Sequence, residues 1–150
     1  MMKCFSFLFL LSFVISHSYS QAVQIEKSYD WTYYTEVSGV TVDYKFTECN
    51  IPSEGYFREL VLLRLTNNND YDVIVDWDIV KWYGLQCVNC DMSNPEQHRT
   101  VEVIANSIRE GTCALDEFPR MKLFSKFLNY DMSDGELTNF QLENITVKIK

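Results

Sequence analysis

The chain has 150 residues, with 13 basic and 21 acidic side chains and a formal net charge of −8. That length fits one domain. The charge argues against nucleic acid and anionic membrane surfaces as partners, because both would repel it.

Residues 1–20 read as a secretory signal peptide. Lys3 supplies a positive start, residues 5–15 form the apolar run FSFLFLLSFVI, and Ser18 and Ser20 stand at −3 and −1 of a cut before Gln21. The apolar run is too short to span a membrane, and no later run approaches the roughly 18 residues a membrane helix needs. The sequence therefore predicts no membrane insertion once the leader is gone. Cys4 precedes the apolar run, so it cannot be the lipidated first residue of a mature chain. Cleavage would remove Lys3 and leave 12 basic residues against 21 acidic ones, a net charge of −9. The expected location is secreted or periplasmic, with association to a cell surface as a further option.

Residues 21–36 are polar and aromatic and predict an N-terminal arm or short entry strand; 37–150 predict one β-domain. In 37–47, Val40, Val42, Tyr44 and Phe46 share one face. Residues 57–66 (FRELVLLRLT) form a continuous apolar run suited to a central strand, and Asn67-Asn68-Asn69-Asp70 is a turn cluster. In 71–83, Val73, Val75, Trp77 and Ile79 alternate with Asp72, Asp76 and Asp78, the period-2 signature of a strand with one buried face. Residues 84–97 read as a long loop carrying Cys87 and Cys90. Shorter strands follow at 98–105 and 108–113, with a turn at Asn106 and Ser107, and another at 120–129. Residues 131–136 (DMSDGE) form a turn. In the last strand, 137–150, Phe140 and Leu142 have one parity while Ile145, Val147 and Ile149 have the other, which predicts a β-bulge near Glu143 and Asn144 or a strand crossing between sheets. About seven strands with no long helix predict an all-β fold, an immunoglobulin-like antiparallel β-sandwich.

The cysteines carry the sharpest expectation. If each connection reverses direction, Cys49, Cys87, Cys90 and Cys113 all lie at one end of the domain. Four cysteines there can form two disulfides or a tetrahedral zinc site. Behind a signal peptide, disulfides are favoured, because exported thiols are oxidised. The preferred pairing is Cys87–Cys90 with Cys49–Cys113; the alternative has Cys87 and Cys90 each reaching one of the others. A redox reading of Cys87-Val-Asn-Cys90 lacks the helix start that would activate a thiol.

Other constellations have plainer readings beside the functional ones. His98 is the one histidine outside the leader, and no G-x-S-x-G elbow accompanies it. Copper held by His98, Met92, Met121 and Met132 would suit soft ligands, but no spacing motif supports it and Met121 fits a core. Asp76 and Asp78 share a strand face and read as a solvent face rather than an acid–base pair. The NNNDYD stretch (67–72) and DMSDGE have calcium-type oxygens without EF-hand spacing. Trp77 fits the core. Trp82, Trp31, Tyr33 and Tyr34 either cover an open edge or form an aromatic platform for sugar or protein. Asn144-Ile-Thr146 is an N-glycosylation sequon.

The stretches VLLRLTNNNDYDVIVDWDIVKWYGLQCVNC, REGTC, MKLFSKFLN and LTNFQLENITVKIK together resemble small exported β-sandwich proteins of unknown function from the Bacteroidota. The likeness covers most of 40–150. It implies an exported location and a sandwich fold, and it carries over no catalytic residue. In a bacterial source the sequon would lose its meaning.

The expected function is a non-enzymatic exported module, binding or structural, stapled by disulfides and needing no cofactor. Its partner would be a protein or glycan. The recognition surface would be the cysteine-bearing end, whose loops hold Glu48, Glu54, Asp91, Glu96, Asp116 and Glu117. The alternative is a metal- or thiol-handling periplasmic protein using Cys87 and Cys90.

Overall fold

A computed structural model describes residues 25–90, 95–114, 119–130 and 135–150. The leader read at 1–20 lies outside the described residues. Among the described residues nine strands run in order: β1 (Thr32–Val37), β2 (Val40–Ile51), β3 (Tyr56–Asn67), β4 (Val73–Tyr83), β5 (Gln86–Cys87), β6 (His98–Val103), β7 (Ile108–Glu110), β8 (Lys122–Phe127) and β9 (Leu137–Ile149). They form two antiparallel sheets packed as a β-sandwich. The first has the order β1-β2-β3, with β7 and β8 following one another along the far edge of β3. The second centres on β4, with β9 along one edge and β5 and β6 along the other. The end where β3 begins and β4 finishes is the upper end. Among the described residues the helical elements are 3-10 turns at Pro52–Glu54, Pro95–Gln97 and Pro119–Met121. Each opens on a proline, whose fixed φ suits a helix start and whose missing N–H is not needed there.

The alternating residues fill the space between the sheets. Val40, Val42, Tyr44 and Phe46 meet Val61, Leu63 and Leu65 from β3 and Val73, Val75, Trp77 and Ile79 from β4, all buried. Burying each large side chain contributes roughly 1.5–3 kcal/mol. The continuous run of β3 has a second use. Leu60 and Leu62 point away from that core into a smaller cluster with Cys49 and Tyr56, flanked by Trp31, Ile51, Cys113 and Phe124. Both faces of β3 are therefore covered, which is why it does not alternate.

Two strands exceed the seven expected. β1 pairs with β2 through a two-residue turn, in which Ser38 and Gly39 both have positive φ, 47° and 77°. That is the requirement of a type I′ hairpin. β5 folds back on Trp82 and Tyr83 as a two-residue strand. The parity switch in the last strand is a bulge: the pairing of β4 with β9 shifts between Asp76–Thr146 and Asp78–Glu143, and Asn144 between them has φ 53°.

Two tyrosines latch the seams between the sheets. The Leu142 N–H on the outer edge of β9 donates to the Tyr34 hydroxyl at 2.9 Å. At the other side the Tyr83 hydroxyl donates to the Phe124 carbonyl at 2.9 Å. The Tyr34 ring also stacks on Phe140, with centroids 5.9 Å apart.

Candidate functional site at the upper end

Of the three pairings open to the cysteines, the structure has Cys49–Cys113 and Cys87–Cys90, with Cα–Cα separations of 5.4 and 5.7 Å. Cys49 is opposite Arg58 in the upper part of β2, and Cys87 is opposite Trp82 near the upper end of β4. The pairs share that half of the molecule but not one cluster. Cys49–Cys113 lies in the small cluster outside the first sheet; Cys87–Cys90 closes a loop at the edge of the second. Facing sheets pack about 10 Å apart, whereas zinc holds sulfur at about 2.3 Å. A single zinc site built from Cys49, Cys87, Cys90 and Cys113 is therefore corrected by this placement. Disulfides of this kind persist in oxidising, extracytoplasmic compartments. Among the described residues no helix is long and apolar enough to cross a membrane.

The Cys87–Cys90 loop is fastened to β4 by the residue inside it. Asn89 is buried, its side-chain amide donates to the Ile79 carbonyl at 2.5 Å, and its Oδ1 accepts the Lys81 N–H at 3.0 Å. The Val88 N–H donates to the Lys81 carbonyl at 2.9 Å. Two apolar side chains of this edge stand in solvent: Leu85, in the β4–β5 turn, is 104 % exposed and Val88, in the disulfide loop, 46 %. Glu48 and Glu54 at the end of β2 are exposed, as is Glu96 beside β6. Asp91, Asp116 and Glu117 lie outside the described residues.

The upper end also buries a carboxylate that the sequence did not flag. Glu59 is fully buried on β3. Ser125 Oγ donates to its Oε1 at 2.9 Å and the Tyr29 hydroxyl to its Oε2 at 3.0 Å. Lys27 Nζ lies 2.9 Å from Glu59 Oε1 and 2.9 Å from Glu136 Oε1, and Lys126 Nζ lies 3.1 Å from the same Glu136 oxygen. Burial alone would lower the Lys27 pKa, but the hydrogen bonds to Glu59 and Glu136 outweigh it and hold the ammonium well above its ordinary value. The hydrogen bond from Lys27, against the opposing effect of burial, holds Glu136 below the usual carboxylate range. No local pattern marks Glu59, because the group that neutralises it comes from the N-terminal arm.

On the outer face of the second sheet, Asp76, Asp78 and His98 do come together. His98 Nδ1 lies 2.9 Å from Asp78 Oδ1, and Nε2 lies 3.7 Å from Asp76 Oδ1. Thr100 Oγ1 donates to Asp76 Oδ1 at 2.7 Å, Lys148 Nζ to Asp76 Oδ2 at 2.9 Å, and Asn144 Nδ2 to Asp78 Oδ2 at 2.9 Å. The Thr100 and Lys148 bonds lower the Asp76 pKa, and the Asn144 and His98 bonds lower that of Asp78. These carboxylates tie three strands, β4, β6 and β9, together across the sheet face. Asp76 is itself buried rather than on an open solvent face.

The remaining candidates separate. Met121 is buried in the core while His98 is on the outer face, so a copper set containing both is not assembled. Met92 and Met132 lie outside the described residues, as does most of the DMSDGE turn. Among the described residues no group of three or more His, Cys, Asp or Glu side chains is arranged to hold a metal ion. In the 67–72 turn, Asn67 is consumed by structure: its amide donates to the carbonyls of Tyr71, Val103 and Ile104, and its Oδ1 accepts from Asn69. Trp31 lies between Lys45 and Arg64, with the cations 4.6 and 4.5 Å from its ring, so it roofs the first sheet. Tyr34 covers a seam, Trp77 is core, Trp82 is half-buried and Tyr33 is exposed.

No protein-family model, curated protein or solved structure matches this chain.

Proposed function

We propose that this chain is an exported, non-enzymatic binding module, stapled by two disulfides, that recognises a protein or glycan through its upper end. One observation carries the reading. The Cys87–Cys90 loop is pinned to β4 through buried Asn89, and this edge presents two apolar side chains that the fold itself does not use, Leu85 in the β4–β5 turn and Val88 in the disulfide loop. A rigid scaffold presenting apolar side chains to solvent suits recognition. The His98 pair with Asp76 and Asp78, by contrast, is tied up in cross-strand bonds. An immunoglobulin-like reading is supported by the order of pairing: β3 pairs with β8 while β4 pairs with β9, as strands B with E and C with F do in that fold. A buried tryptophan on the C-like strand, Trp77, fits it too.

The second reading, thiol or metal handling at Cys87 and Cys90, rests on the same loop at a sheet edge. One experiment separates the two. The protein exported from living cells is weighed intact, native and denatured, with and without a thiol-blocking reagent. A chain starting at Gln21, with no blocked thiol and no metal adduct, supports the stapled module. A blocked Cys87 and Cys90 pair, or bound zinc or copper, replaces it with the handler.

A further inference from the structure

The arm at 25–31 precedes the first strand and crosses the upper end of the sandwich. It is held by few bonds. The Tyr44 hydroxyl donates to the Glu26 carbonyl at 2.9 Å, and the Phe46 N–H donates to the Ser28 carbonyl at 2.7 Å. Ile25 packs against the core edge. Trp31, where the arm meets β1, is gripped by Lys45 and Arg64; before it, the side-chain contacts to the sandwich pass through Lys27 and Tyr29.

The surroundings of Lys27 Nζ have the form of a receptor for one chemical group. Two carboxylate oxygens, from Glu59 and Glu136, each lie 2.9 Å away. The Phe46 ring lies 5.5 Å from the nitrogen as a fixed wall, the Tyr29 ring at 5.9 Å is supplied by the arm itself, and the Lys27 side chain is 37 % exposed, so the site is open on one side. An alkylammonium has three N–H donors and a compact charge that attracts ring faces, so it satisfies both kinds of wall. Glu59 keeps its place without Lys27, because Ser125 on β8 also holds it. The chain's net charge of −8 draws cations toward it.

We propose that the upper end carries a primary-ammonium site, closed in cis by Lys27, which accepts a lysine side chain or small alkylammonium from outside when the arm lifts. The inference is independent of Leu85 and Val88. It gives the acidic protein a stated ligand chemistry, and it makes the arm an internal competitor.

The test uses the full exported chain carrying Lys27→Ala, titrated with n-butylammonium chloride while the melting temperature is followed. The expected result is a saturable rise that recovers most of the loss caused by the substitution. Tetramethylammonium, which has no N–H, should not reproduce it at equal ionic strength. The rise should vanish in the double variant Lys27→Ala/Glu59→Gln. A response equal to that of sodium chloride overturns the site. If Lys27→Ala does not fold, Lys27→Met, which keeps the side chain's packing beside Phe46, takes its place in the titration. In the wild-type chain, butylammonium should speed hydrogen exchange at the Phe46 amide, which the Ser28 carbonyl protects. Unchanged exchange at an amine concentration that saturates the variant would show that the arm never lifts, and would overturn access from outside.

Discussion

Two hydroxyl groups show how single residues close this sandwich. Backbone groups on an edge strand lack partners and invite pairing with other chains. Tyr34 and Tyr83 each reach from one sheet to satisfy such a group on the other. Removing the hydroxyl alone should cost about 1 kcal/mol at each site, the usual net worth of one hydrogen bond. Urea unfolding of Tyr34→Phe and Tyr83→Phe checks this; a loss within error of zero would mean water serves the edge equally well. Gly111 is a second such point. It is buried, its N–H donates to the Leu63 carbonyl, and a Cβ there would collide with the Met121 carbonyl. Backbone gives way less readily than a side chain, so Gly111→Ala should cost about 1–3 kcal/mol or more. A variant with wild-type stability would contradict that packing.

The disulfides act at the scale of elements. Cys49 and Cys113 are 64 positions apart and tie β2 to the excursion between β7 and β8. Closing a loop of that length constrains the unfolded chain by about 4 kcal/mol on the chain-entropy account. Cys87 and Cys90 are 3 positions apart, and the same account assigns that loop about 2 kcal/mol. The paired variant Cys49→Ala/Cys113→Ala should therefore lose about twice as much stability as Cys87→Ala/Cys90→Ala. Denaturant midpoints of the two variants decide it, and the reverse order would show that the small loop's hold on β4 matters more than chain entropy. The bulge at Asn144 is another element-scale device. It lets Phe140 and Leu142 face the core before it and Ile145 and Val147 pack against the core after it.

The whole molecule should weaken in acid. Asp76, Asp78 and Glu136 all have pKa values depressed by hydrogen bonds from Thr100, Asn144 and Lys27 respectively, each the leading cause. A group with a depressed folded-state pKa contributes stability above its unfolded value, and that stability is lost as pH falls through the folded value. The unfolded values are 3.8 for aspartate and 4.5 for glutamate, so the loss should set in around there and deepen below. Lys27 has the opposite sign: its raised pKa contributes at neutral pH and fades only in strong alkali, while in acid its bond to Glu136 is lost with the Glu136 charge. Urea midpoints measured from pH 7 down to pH 3 should fall, and Asp76→Asn should fall less steeply from a lower start. Parallel curves would remove Asp76 from the acid response.

Much of this molecule was written locally. Alternation at 40–46 and 73–79 settled which side chains enter the core, because each strand has a period of two and one face to bury. The parity switch near Asn144 called for a bulge or a strand crossing between sheets, and the pairing of β9 with β4 made it the bulge. β1 was less legible, since its own register shift between Tyr33 and Thr35 breaks the alternation, and β5 is too short to show any period. Tertiary structure alone decided the rest. It put the two disulfides on different sheets. It turned Leu60 and Leu62 toward a second cluster. It brought Lys27, Glu59, Ser125 and Glu136 together at one end. A sequence pattern states which face of a strand is apolar, but the neighbour that will cover or neutralise a group depends on strand order, and strand order is set by contacts between distant segments.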